Sequence, residues 1–258
     1  MRIGFFDSGV GGLSVWREAM RQIPGLDSVY LADTAHCPYG DRPADFIAMR
    51  CHAAVRLLRE RGCRLVVVAC NTATAAAIDT LRASYPLPFV GMEPAVKPAA
   101  LATKTGVVGV LATPGTLAGR LFRETSAKAA HHARVLVRHA AGWVEAVERG
   151  DIAPEGATLE IVRREVAPLL EAGADSLVLG CTHFPFLRDA IQAVAGPGVV
   201  LYDPSPAIAR RILDLLPESG SFDGPCRTEF LSTGDPTSLD RMLRHLHMGS
   251  VPITRVAP

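Results

Sequence analysis

The strongest constraint on this chain is a device that occurs twice. Leu65-Val66-Val67-Val68-Ala69 runs straight into Cys70-Asn71-Thr72, and Ser176-Leu177-Val178-Leu179-Gly180 runs into Cys181-Thr182-His183. Each is a short, nearly unbroken apolar run that stops at a cysteine, passes through a polar pair and leads into a helix-like pattern. Runs that are apolar at successive rather than alternate positions fit strands buried on both faces of a parallel sheet. In such sheets, functional groups gather beyond the carboxyl ends of the strands. Cys70 and Cys181 therefore occupy equivalent places, each where chemistry is expected.

The repeat reaches further. Ile3–Phe6 precedes Asp7-Ser8-Gly9 much as Val107–Leu111 precedes Ala112-Thr113-Pro114-Gly115-Thr116. Strand and helix patterns alternate throughout, which specifies an α/β fold with mostly parallel strands. Strands are expected at 2–6, 28–32, 64–69, 89–91, 106–111, 134–138, 176–179, 199–202, 228–232 and 251–256. Helices are expected at 45–61, 73–84, 116–130, 156–172, 205–216 and 237–247, among others. The expected architecture is two similar parallel-sheet α/β domains related by pseudo-twofold symmetry, with the active site in the cleft between them. Residues 1–95 with 206–258 form the first domain and 96–205 the second. The boundary falls in Met92–Ala100, where Pro94 and Pro98 interrupt the pattern, and the chain returns near Asp203–Pro206.

Composition removes several classes of function. With 27 basic against 26 acidic residues the net charge is +1, so nothing marks a partner such as nucleic acid or an anionic membrane. No apolar run approaches the roughly 20 residues of a membrane helix, and Arg2-Ile3-Gly4-Phe5-Phe6 opens directly into a strand rather than a signal peptide. The 6 cysteines, Cys37, Cys51, Cys63, Cys70, Cys181 and Cys226, contain no C-x-x-C pair. Reduced thiols in a cytoplasmic protein are the expectation. Cys51, Cys63 and Cys226 read as structural.

Cys70 and Cys181 stand out from these because helix starts follow them, where backbone N–H groups and the helix dipole lower a thiol pKa. Two thiols facing each other could remove a proton from one side of a carbon and return it to the other. Asp7-Ser8-Gly9-Val10-Gly11-Gly12 is a glycine-rich loop after a first strand. It lacks the G-x-G-x-x-G spacing of a dinucleotide site, and Asp7 would repel a pyrophosphate there. An aspartate in that place suits orienting a thiol or holding an ammonium group. His183, two residues after Cys181, could exchange a proton with that thiol. A zinc site built from Cys181, His183, Cys70 and Asp7 matches no standard ligand spacing, so no metal is expected. The loop Asp33-Thr34-Ala35-His36-Cys37-Pro38-Tyr39-Gly40 could lid a small ligand. Asn71, Thr72, Thr182, Thr113 and Thr116 could donate to carboxylates.

Taken together, these segments resemble the cofactor-independent glutamate racemases of the aspartate/glutamate racemase superfamily. The resemblance rests on Phe6–Leu13, Asp33-Thr34-Ala35 with Pro38-Tyr39-Gly40, Ala69–Thr74 and Leu179–His183, supported by Gly91–Ala95 and Asp203-Pro204-Ser205. It implies Cys70 and Cys181 as catalytic thiols, with Asp7 and His183 as their auxiliary acid–base groups. It also implies that Asp7, Ser8, Tyr39, Gly40, Asn71, Thr72, Thr182 and His183 hold glutamate. A homodimer, no cofactor and a role in supplying D-glutamate for peptidoglycan and cell shape follow in the same way. The family's acidic residue ahead of a glycine falls on Glu148. His139-Ala140-Ala141-Gly142 departs from the Cys-Pro pair that many members have. The short start before Arg2 lacks the leader that some members use to bind a peptidoglycan-precursor activator, so no such regulation is expected.

Overall fold

The computed structural model describes residues 1–216 and 227–257, so Cys226 lies outside the described residues. The first sheet is built on β1 (Arg2–Asp7), flanked by β2 (Asp27–Ala32) and β3 (Cys63–Val68), with β4 (Phe89–Gly91) beyond β3. From the end of the chain, β9 (Thr228–Ser232) pairs with β2, and β10 (Ile253–Arg255) pairs with β9. The second sheet centres on β5 (Val107–Ala112), flanked by β6 (Arg134–His139) and β7 (Ser176–Gly180), with β8 (Val200–Tyr202) beyond β7. Every pairing in both sheets is parallel. The order β2-β1-β3-β4 thus recurs as β6-β5-β7-β8. The internal repeat in the sequence is a repeat of topology, and Cys70 and Cys181 each follow the third strand of their copy.

Both faces of the first sheet are covered, which explains its unalternating strands. Ile3, Phe5, Leu65 and Val67 pack with α1 (Leu13–Gln22), α10 (Ser205–Asp214) and α11 (Thr237–His245). Phe6, Val66 and Val68 face α2 (Ala44–Glu60) and α3 (Asn71–Ser84) on the other side. In the second sheet, α4 (Val96–Ala102) and α6 (Arg120–Ala129) cover one face. Helices α7 (Trp143–Arg149), α8 (Gly156–Glu171) and α9 (Arg188–Ala195) lie on the other. One apolar cluster joins the α1 face of the first sheet to Trp143, Phe184 and Leu187 of the second half. The chain leaves β1 for β2 on one side and later returns to β3 on the other. The crevice at the carboxyl end of β1 is therefore a topological switch point, where α/β sheets place their ligands. The end of β5 is its counterpart.

Two local expectations are corrected. The single helix expected over 116–130 is split into α5 (Pro114–Ala118) and α6 at Gly119. Gly119 is extended, and a Cβ there would stand 2.7 Å from Ala75 Cβ, so α3 approaches the break too closely for any residue but glycine. The helix start expected directly after Cys181 is a short 3-10 turn, Phe184–Leu187, with Pro185 near its start. The true helix, α9, begins only at Arg188.

Trp143 is fully buried, meets Phe184 edge-on at 4.9 Å between ring centres, and donates from its indole N–H to Ile161 O at 3.2 Å. Trp143→Ala leaves a cavity and removes the indole bond to Ile161 O. It should destabilise the protein by about 3–5 kcal/mol in urea unfolding.

Candidate active site

Backbone pairing continues past the ends of the central strands and brings the two ends together. Ala69 N donates to Phe6 O at 2.7 Å, and Asp33 N donates to Asp7 O at 2.9 Å. Cys70, Asp7 and the loop from Asp33 to Gly40 therefore share one rim. Cys70 is the N-cap of α3, its sulfur accepting the Ala73 N–H at 3.5 Å. Thr74, bonded to Val68 O at 3.1 Å and to Met92 N at 2.9 Å, pins the first turn of that helix.

The glycine loop serves contact between the halves. A Cβ on Gly9 would lie 1.9 Å from Glu148 Oε1 and 2.8 Å from Cys37 Sγ. One on Gly11 would lie 2.3 Å from His183 Nδ1, and one on Gly12 would lie 2.8 Å from Asp7 Cβ. None of these three has a positive φ, so space and not backbone conformation requires glycine. Through the gap, Val10 N donates to Glu148 Oε1 at 2.8 Å, Thr182 Oγ1 donates to Asp7 Oδ2 at 3.0 Å, and Ser14 Oγ donates to Thr182 O at 2.9 Å.

The electrostatics differ on the two sides. Asp7 is fully buried and accepts the Gly9 N–H at 2.7 Å. Burial raises its pKa despite the opposing pull of His183. Cys70 is also pushed up, by burial first and then by the charge of Asp7. The expectation that the start of α3 lowers this thiol is thus corrected: the Ala73 N–H opposes the rise and does not overcome it. On the other side, His183 Nδ1 lies 3.7 Å from Cys181 Sγ and Nε2 lies 2.7 Å from Glu148 Oε1. Burial alone would depress the imidazole, but contacts with Cys181, Cys37 and Glu148 hold it well above its ordinary value. Glu148 stays below the usual range because His183 and the Val10 N–H outweigh its burial.

Cys70 and Cys181 line one small cavity of about 20 Å3, together with Ser8, Tyr39, Gly40, Asn71, Thr72 and His183. Asp7 and Thr182 stand behind this lining, bonded to each other. Tyr39 is buried, with its hydroxyl donating to Asp33 Oδ2 at 2.5 Å. Asp33 is in turn held by Arg50, with Nε and Nη2 both at 3.0 Å. Thr72 and Thr116 each lie 2.9 Å, oxygen to oxygen, from Thr113. Asn71 is 3 % exposed, and neither polar atom of its side chain finds a hydrogen-bond partner among the described residues.

Residues 15–212 match the family model described as Asp/Glu/Hydantoin racemase. The chain belongs to that family. The glutamate racemase of Herpetosiphon aurantiacus is 46% identical over 249 residues, covering 95% of this chain and 98% of the relative. That of Methylococcus capsulatus is 49% identical over 218 residues, covering 84% of this chain and 80% of the relative. Among solved structures, Escherichia coli glutamate racemase in complex with L-glutamate and the activator UDP-MurNAc-ala superposes with a TM-score of 0.87 at 34% identity, covering 99% of this chain and 98% of that one. The protein is thus an amino-acid racemase, an isomerase.

Within this racemase, Cys70, Cys181, His183, Ser8, Tyr39, Gly40, Asn71 and Thr72 line that small cavity, with Asp7 and Thr182 behind it, whereas Cys37 and Glu148 line a neighbouring one. Glu148 was reached from sequence only through a resemblance, because its partner His183 is 35 positions away and neither helix pattern nor spacing links them. The departure at His139-Ala140-Ala141-Gly142 has a structural role. Gly142 has a φ of 81° and caps α7, the helix that carries Glu148. Among the described residues, Cys37, Glu148 and His183 form a group able to hold a metal, their donor atoms all within 4.8 Å of one another.

Two tests follow from this geometry. Gly11→Ala forces His183 and Thr182 aside, so racemase turnover should fall by about a hundredfold with far-UV circular dichroism unchanged. The second concerns pH. Stability from a depressed Glu148 is fully present above its ordinary value of 4.5 and is lost as pH falls through the folded value. Stability from a raised His183 is fully present below its ordinary value of 6.5 and is lost as pH rises through the folded value. The destabilisation caused by Glu148→Gln should therefore be greatest between pH 4.5 and 6.5, shrinking on either side when melting temperature is followed against pH.

Proposed function

We propose that the protein is a cofactor-independent glutamate racemase that works by two-cysteine proton transfer in the cleft between residues 1–95 with 206–258 and residues 96–205. The observation that carries this reading is the cavity itself. Thiols from equivalent positions of two topological repeats meet at one small cavity, beside an asparagine amide with unmet hydrogen-bonding capacity among the described residues. The names of the relatives supply glutamate as the substrate.

One cysteine, as thiolate, takes the α-proton of glutamate, leaving the electron pair on the α-carbon. The other, as thiol, delivers a proton to the opposite face. Asp7 serves Cys70, and its raised pKa suits a carboxylate that accepts and returns a proton. His183, oriented by Glu148, serves Cys181 through Nδ1. The α-proton is a poor acid, so the developing carbanion needs donors aimed at the α-carboxylate. Asn71, Thr72, the N–H groups that open α3, Ser8, Gly40 and Thr182 supply that shell. The product D-glutamate would enter peptidoglycan synthesis and so cell shape. We place the protein in the cytoplasm as a homodimer; light scattering on the purified protein checks the assembly.

Incubation with L-glutamate in deuterated buffer containing EDTA should give racemisation with deuterium at the α-carbon. Cys70→Ser and Cys181→Ser should each lower the rate by about 10²–10⁴-fold. Exchange with aspartate or a hydantoin but not glutamate would keep the mechanism and overturn the substrate. Glutamate binding without exchange would leave a binding protein on a racemase fold.

A further inference from the structure

We propose that Cys37, Glu148 and His183 form a site for a thiophilic divalent cation of the zinc class, and that its occupation stops turnover. The proton relay proposed above needs His183 and Glu148 but gives Cys37 no task. Yet Cys37 Sγ points at the same Glu148 oxygen that His183 uses, 3.5 Å away. This turns an acid–base pair into a sulfur, nitrogen and oxygen trio. Zinc binds such donors at about 2.0–2.3 Å in tetrahedral geometry, which sets neighbouring ligand atoms roughly 3.3–3.7 Å apart. The sulfur–oxygen spacing already fits. The His183 Nε2 to Glu148 Oε1 distance of 2.7 Å must open by roughly 0.6 Å, a small rotation of one carboxylate. Donors of this softness favour zinc or cadmium over magnesium or calcium, which take oxygen shells.

The surroundings suit a bound ion. Gly9 presses on the trio from behind with no Cβ to displace it. Cys37 and Glu148 are only partly buried and line an open cavity of about 440 Å3, giving an access route and space for a water as fourth ligand. Arg149 and Arg241 also border that cavity, but Arg149 is paired with Asp151, and Arg241 donates to the carbonyls of Glu148 and Arg149. Coordination through Sγ and Nε2 displaces the protons those two atoms carry to solvent. Nδ1 keeps its hydrogen, facing Cys181 at 3.7 Å, and can no longer exchange it through a second protonation state. The inhibition rests on the proposed role of His183; metal uptake does not.

The test separates the two. Zn2+ is titrated calorimetrically into EDTA-treated, dialysed protein, with Co2+ absorption as a readout of thiolate ligation. Racemisation is measured at the same zinc concentrations, each variant normalised to its own rate in EDTA. One ion should bind per chain with proton release and a cobalt–thiolate band. Cys37→Ala and Cys37→Ser should weaken binding by more than about tenfold and shift half-inhibition in proportion. No uptake at micromolar zinc overturns the proposal. So does equal binding and inhibition in wild type and Cys37→Ala, which would put the ion on Cys70 or Cys181. A protein that racemises nothing yet binds zinc through Cys37 supports the site and overturns the functional reading instead.

Discussion

Val10 offers its backbone N–H to Glu148, and Glu148 in turn holds His183, because Gly9 and Gly11 carry no side chains. Most of the site depends on that steric allowance. It lets α7 and the loop after β7, both from the second half of the chain, press on the end of β1 from the first. Thr182 then reaches Asp7 and Ser14 reaches Thr182, so the two halves are joined by directed bonds as well as by the shared apolar cluster. A single methyl group in this loop would separate groups that must work within hydrogen-bond distance.

The two thiols stand at equivalent ends of a repeated topology, but their companions have opposite charge. Cys70 feels the charge of the buried Asp7 carboxyl group, whereas Cys181 faces an imidazole whose pKa is raised against its burial by Cys181 itself, Cys37 and Glu148. Repetition of the backbone supplied two strand ends; divergence of the side chains made them unlike. The reaction proposed for such a pair needs a base on one side and an acid on the other at any one moment. Neighbours of opposite sign bias which is which.

Much of this was legible in the sequence, for reasons visible in particular residues. Unbroken runs such as Leu65–Ala69 fit strands covered on both faces, and their repetition pointed to two similar parallel-sheet halves, though not to the strand order that the halves share. The cysteines were legible because each ended such a run. Other features were set by contacts between distant residues. Gly119 is extended inside a helix-like pattern and lies too close to Ala75 for any side chain, a contact that no local periodicity records. The start of α3 marked Cys70 as a lowered thiol, but burial and Asp7 outweighed the helix end. Glu148 sits in a seven-residue helix whose polar face looks like any solvated one until His183 is placed against it.

The cavity of about 20 Å3 has room for roughly one water molecule, far less than a five-carbon dicarboxylate needs. Its closure is held by bonds between the halves: Gly115 N–H to Gly40 O at 3.1 Å, and the hydroxyls of Thr72 and Thr113 at 2.9 Å. A ligand of the size proposed above would part these walls, and the groups that lose each other are ones suited to gripping its carboxylates. Binding is then an exchange of partners and not a net gain of hydrogen bonds. Affinity reports only the difference between the latch and the grip, so modest affinity is compatible with many contacts, and release is assisted by the latch re-forming.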